Sequence, residues 1–168
     1  MLWLKNRIKK EDKVKIKIYR RNKSVPLPVH KSSMAAGLDV YVEEDTEVRL
    51  GQVTFVETGL IIQPPEGYHI KLFIRSGFSV KNNVSLVNST GIIDEDYCGE
   101  NDYLNVALIR HISGIGEIDS KPLLLKKGDR IGQIIFEKTA FTKIEWDEQD
   151  QADFAGESRG GFGSTGTN

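Results

Sequence analysis

The sequence predicts an all-β fold of the sandwich, jelly-roll or small-barrel kind, and three observations predict it. Short β-branched runs recur along the chain, each bounded by Gly, Pro, Asn or Asp. Helical periodicity of apolar residues is scarce. The length of 168 residues, with 39% hydrophobic and 28% charged residues, suits one soluble domain with a single core.

In chain order, Val14–Tyr19 comes first, where VKIKIYRR alternates so that Val14, Ile16 and Ile18 are expected to face a core and the lysines to face water. Leu38–Val42 and Val53–Ile62 follow as strands, and the turn Pro64-Pro65-Glu66-Gly67 leads into Tyr68–Ile74. One short helix is expected near Ser76–Lys81, weakened by Gly77. Val84–Val87, Leu104–Ile109 and Arg130–Phe136 complete the strand set, with turns at Asp94–Gly99 and Lys126–Asp129. Ile112–Pro122 reads as an irregular loop and receives no role.

Net charge is −1, but residues 1–31 hold 11 Lys and Arg against 2 acids, so the remainder is strongly acidic. A nucleic-acid arm is one reading of that asymmetry. The alternation of Val14–Tyr19 and the lack of interleaved aromatics favour a solvated strand face instead, so no nucleic-acid partner is expected. The single cysteine, Cys98, excludes an internal disulfide framework and any multi-cysteine zinc site. Four residues precede the first lysine, too few for the apolar core of a signal peptide, and no apolar run approaches a membrane span. A cytoplasmic protein without membrane contact is the expectation.

From Glu145 the chain turns acidic and then ends in SRGGFGSTGTN, with too little apolar surface to offset the entropy of ordering. This tail is expected to be mobile until something binds it. Residues 161–166 formally match G-x-G-x-x-G, yet only two residues follow, so no βαβ dinucleotide unit can be built there. The three histidines, His30, His69 and His111, are too widely spaced to suggest a metal site.

Five segments carry the chemistry: AAGLDVYV (35–42), RSGFSVKNNV (75–84), NSTGIIDEDYCGE (88–100), KKGDRIGQIIF (126–136) and RGGFGSTG (159–166). Their order and spacing resemble those of the trimeric dUTPase family, over about residues 13–166. The resemblance implies a jelly-roll-like β-barrel, a homotrimer whose active sites are shared between subunits, Mg²⁺ as cofactor, and hydrolysis of dUTP to dUMP and pyrophosphate. It divides the chain into a basic extension (1–12), a core domain (13–145) and a flexible C-terminal arm (146–168) that closes the site.

A uracil pocket must give a donor to O4 and an acceptor to N3–H, and cytosine reverses both polarities, leaving groups unpaired. Residues Asn88 to Tyr97, with Gly91 inside, are expected to form a hairpin whose main chain does this. By resemblance Asn88, Gly91 and Ile93 hold the base, and Tyr97 packs beneath the deoxyribose where a 2′-hydroxyl would clash; from the residue alone a core aromatic is the favoured reading of Tyr97. Asp94 is the candidate general base for water attacking the α-phosphate, whereas Asp96, two residues on, reads as a turn-stabilising side chain. Both acids shaping the turn is the alternative.

The resemblance gives Arg75, Ser76 and Gly77 the grip on the phosphates and Gln133 a contact near the α-phosphate. Without it, Arg75 reads as a surface ion-pair partner and Gln133 as a solvent-facing strand residue. Asp39 is implied as an outer contact of the metal through bound water, and reads otherwise as a turn residue. In the tail, Phe162 is implied to stack on uracil while Arg159, Ser164 and Thr165 meet the γ-phosphate, with Gly163 letting the backbone wrap. The sequence departs from the family in having Arg159 directly before Gly160-Gly161-Phe162, a cysteine at 98, and a longer GENDYLN stretch.

Three other readings compete. The homologous dCTP deaminases need a glutamate base in the strand after this segment, and Leu104–Ile109 contains no acid. A nucleotide-sensing regulator without turnover would not need Asp94, Ser76, Gln133 and Phe162 together. A non-enzymatic jelly-roll module accounts for the strands and leaves the five segments unexplained.

Overall fold

The structure is a computed structural model that describes residues 14–112, 121–140 and 144–151. Its strands are β1 (Lys17–Arg20), β2 (Leu38–Tyr41), β3 (Thr46–Val48), β4 (Val53–Glu57), β5 (Leu60–Gln63), β6 (Tyr68–Ile74), β7 (Val84–Leu86), β8 (Gly91–Ile93), β9 (Asn105–Arg110), β10 (Leu123–Leu125) and β11 (Arg130–Lys138). The helix α1 (Ser76–Asn82) lies between β6 and β7 and stops where Asn83 adopts the left-handed conformation, its N–H bonded to the Ser79 carbonyl. All strand pairs are antiparallel. A four-stranded sheet runs β2-β11-β6-β8, a three-stranded sheet runs β4-β9-β7, and β1-β5 and β3-β10 are two-stranded. The chain is all-β apart from one short helix among the described residues.

Period-two alternation builds the core. On β6, Ile70 and Leu72 point inward, and on β9 Val106 and Leu108 do the same. They join Val40, Val56, Leu86, Ile131 and Ile134 in one buried cluster. On β11 the register shifts between Arg130 and Gly132, so Ile131 is buried next to buried Gly132. The extra residue changes the phase of the strand, so Arg130 emerges on the face carrying Gln133 rather than in the core.

Four expectations need correction. The run Val53–Ile62 is two strands, because Gly59 at φ +65° breaks it and buried Thr58 donates its hydroxyl to the Leu104 carbonyl at 2.6 Å. Thr46–Val48 and Leu123–Leu125 form a strand pair that the short runs did not suggest. The segment from Asn88 does not fold on itself as a hairpin: β8 joins the edge of β6, with Gly91 opposite Leu72 and Ile93 opposite Ile70. Finally, β1 pairs with β5 at the side of the molecule, so Ile16 packs on the core while Ile18 and Val14 stay exposed.

A buried carboxylate ties these outer strands to the core. Glu43 is 1% exposed and accepts from Arg21 Nε at 3.0 Å, and Arg21 also pairs with Glu57. These bonds, to Glu43 first, raise the Arg21 pKa above its ordinary value. Among the described residues no helix is long and apolar enough to cross a membrane.

Candidate active site

Those predicted residues that the structure describes fall into two clusters. In the first, Asp39 on β2 stands directly opposite Gln133 on β11, which stands opposite Phe73 on β6. Residues opposed in an antiparallel ladder share a face, so Asp39 and Gln133 project together. Asp39 is 8% exposed, and its two oxygens face different arginines: Arg130 Nη1 at 3.0 Å and Arg75 Nε at 3.4 Å. Arg75 also donates to the Arg130 carbonyl at 3.1 Å. Its backbone is extended, so it ends β6 and hands the chain to exposed Ser76 and Gly77 at the start of α1. The result is a pair of guanidiniums fixed by one carboxylate, beside a hydroxyl and an amide side chain, a set suited to anionic oxygens. Asp39 is therefore more than a turn residue.

Gly37 sets the position of Gln133. A Cβ on Gly37 would lie 2.6 Å from Gln133 Oε1 and 3.2 Å from its Cβ. Gly37→Ala is expected to lower melting slightly, because the Gln133 Cβ on β11 must give way even when the amide end swings aside, and to lower kcat/KM for the reaction proposed below about tenfold. Steady-state kinetics beside a thermal melt check this.

The second cluster surrounds a cavity of about 320 Å³, near the lower limit for small-molecule pockets. Asn88, Gly91, Ile93, Asp94 and Tyr97 line it, together with Leu72, Leu104 and Asn105. Gly91 is required here by close packing, because a Cβ would sit 3.1 Å from the Leu72 Cβ. As the last strand of its sheet, β8 leaves one edge of main-chain groups outside the ladder. Tyr97 is 42% exposed, so it is a cavity wall and not a core aromatic.

The acids of the turn divide differently from expectation. Glu95 accepts from the Gly67 amide at 2.8 Å and Asp102 from the Gly99 amide at 2.6 Å, so these two stabilise the turns. Among the described residues, the carboxylates of Asp94 and Asp96 have neither hydrogen bond nor ion pair, and Asp96 does not take the turn-holding role expected of it. Asp94 contributes to the turn only through its carbonyl, which accepts from Tyr97 N–H at 3.2 Å. Its carboxylate is exposed at the cavity rim.

One chain does not unite the two clusters. Ile93 is paired with Ile70 near the start of β6, while Arg75 follows its end. Asp94 thus falls level with His69, six residues from Arg75, or roughly 20 Å at the usual strand rise. Arg159, Phe162, Gly163, Ser164 and Thr165 lie outside the described residues. No group of three or more His, Cys, Asp or Glu side chains among the described residues is arranged to hold a metal ion.

The dUTPase family model matches residues 23–166. This chain belongs to the dUTPase family. Among curated dUTPases, the deoxyuridine 5′-triphosphate nucleotidohydrolase of Wolbachia pipientis subsp. Culex pipiens is 35% identical, aligning 92% of this chain with 97% of that one. The protein of the same name from Desulfitobacterium hafniense is 38% identical over 92% of this chain and 96% of its own. The crystal structure of dUTPase from Streptococcus mutans superposes with TM-score 0.65 at 26% identity, covering 76% of this chain and 98% of that one.

Sequence reasoning missed Arg130. Its place in KKGDRIGQ, three residues before Gln133, was legible, but only the β11 bulge shows that it reaches Asp39. Asn105 at the far wall of the cavity was also missed, and its alternating strand context carried no signal for it.

Proposed function

We propose that this chain hydrolyses dUTP to dUMP and pyrophosphate, and that a homotrimer performs the reaction with substrate held between subunits. The observation that carries the reading is the separation of the two clusters along β6, a base-sized cavity with Asp94 at one end and an anion-binding set at the other. Asp94 must act beside the α-phosphorus, and roughly 20 Å is too far for one chain to supply both ends. A second copy that brings its Arg75, Ser76 and Gln133 to the first copy's cavity completes the site.

In this reading the main chain at Gly91 and Ile93, with Asn88, pairs with uracil, and Tyr97 lies beneath the deoxyribose. Arg75, Ser76, Gly77 and Gln133 bind the phosphates, while Asp39 aligns the arginines. Asp94 accepts a proton from water as its oxygen attacks the α-phosphorus. The bond from that phosphorus to the bridging oxygen breaks, and pyrophosphate leaves with the electron pair. The arm from residue 146, with Arg159, Phe162, Gly163, Ser164 and Thr165, covers the bound nucleotide.

Mg²⁺ fits this set as an ion carried mainly by substrate phosphates, since the described residues offer carboxylate and amide oxygens at the phosphate-binding face and no cage of three or more ligating side chains. Each Asp39 oxygen faces one arginine and has a further lone pair, so Asp39 would hold the ion through bound water. When bound, such an ion would supply neutralisation of phosphate charge.

The test incubates purified protein and Mg²⁺ separately with dUTP, dCTP, TTP and UTP, and assays pyrophosphate and ammonia. Pyrophosphate from dUTP alone is expected, and sedimentation should give three times the chain mass. Ammonia from dCTP, or an active monomer, would reject the proposal.

A further inference from the structure

The Tyr97 ring has an anchor in Tyr103, which lines the same cavity. The Tyr97 hydroxyl donates to the main-chain oxygen of Tyr103 at 3.4 Å. An exposed tyrosine held only at its Cα would sample several rotamers, so this contact bears on where the ring lies.

The oxygen of Tyr103 is itself restrained from two sides. On the chain side, Tyr103 N–H bonds to the Asn101 carbonyl at 2.9 Å and Asp102 N–H to the Gly99 carbonyl at 3.2 Å. The next residue, Leu104, donates to the Leu60 carbonyl at 2.8 Å. On the side-chain side, the Tyr103 ring sits 4.8 Å from the Arg21 guanidinium and meets the Tyr19 ring edge-on, centroids 6.5 Å apart. Arg21 is fixed by buried Glu43 and by Glu57. The clamp thus connects a core carboxylate to the wall of the cavity.

We infer that Tyr103 is a positioning residue for the sugar subsite: its clamped ring fixes the oxygen that sets the tilt of Tyr97, and with it the preference for deoxyribose over ribose. This rests on the proposal that Tyr97 receives the sugar. A flat ring excludes a 2′-hydroxyl only while it lies close under C2′, and small misplacements weaken such discrimination strongly.

The test measures kcat and KM with dUTP and with UTP for wild type, Tyr103→Ala, Tyr103→Phe and Tyr97→Phe, with melts alongside. Tyr103→Ala is expected to raise KM for dUTP about tenfold, to change kcat little, and to cut the dUTP-over-UTP preference about tenfold. Tyr103→Phe keeps the ring and should restore wild-type preference. Tyr97→Phe removes the hydroxyl and should reproduce the loss without disturbing the clamp, so it decides the matter if Tyr103→Ala fails to fold. Unchanged preference in Tyr97→Phe, or in folded Tyr103→Ala, would overturn the inference, as would Tyr103→Phe being impaired like the alanine variant. A wild type with no preference for dUTP would instead remove the sugar-platform reading beneath it.

Discussion

Asp94→Asn is expected to lower kcat for dUTP hydrolysis by about 10²–10⁴-fold while dUTP still binds with nearly wild-type affinity. The amide has the shape of the carboxylate but cannot take a proton from water, so the loss belongs to the chemical step. The structure shows why this site is suitable: the Asp94 carboxylate stands at the cavity rim, while neighbouring Glu95 and Asp102 hold the turn amides. Removing its charge should therefore leave the fold intact. Single-turnover kinetics with equilibrium binding check this, and turnover within a few-fold of wild type would take the general-base role from Asp94.

Gly59→Ala is expected to be the most destabilising methyl that can be added to the β4–β5 corner. At φ +65° an L side chain is strained, and the new Cβ would lie 2.3 Å from the Glu43 carboxylate. Glu43 is 1% exposed and cannot retreat into water, so the methyl forces it off Arg21 and leaves a buried charge poorly paired. With Arg21 partly exposed, the lower end of the usual cost of breaking a buried pair applies, and with the backbone strain the loss is about 4 kcal/mol. That lowers Tm by about 10 °C in a chain of this size. Gly67→Ala is the control, since Gly67 has φ +74° but nothing within 4 Å of the added Cβ, and only the strain remains. Equal melting losses for the two variants would show that Glu43 relaxes freely.

The legible part of the fold was the part that alternation controls. Tyr68–Ile74 and the helix near Ser76 were readable because local pattern and turn residues agree there. Val53–Ile62 was misread as one strand because a single glycine inside an apolar run does not announce a corner; it becomes one through the carboxylate packed against it. Thr46–Val48 and Leu123–Leu125 are three residues each, too short for a period, and exist because they pair with one another. That Asp94 and Tyr97 belong to one turn was legible, but the turn acids were not: which carboxylate bonds an amide depends on where Gly67 and Gly99 arrive in space.

The all-β class and the family were already written in the sequence, because side-chain alternation and the order of short motifs can be read along the chain without knowing its packing. Tertiary structure alone decided that Arg130 joins Arg75 on Asp39, that β8 is an edge strand, and that Asp94 lies a strand's length from Arg75 and Ser76. Those facts follow from strand register and one bulge, which are set by the packing of residues distant in sequence and leave no periodic trace in it.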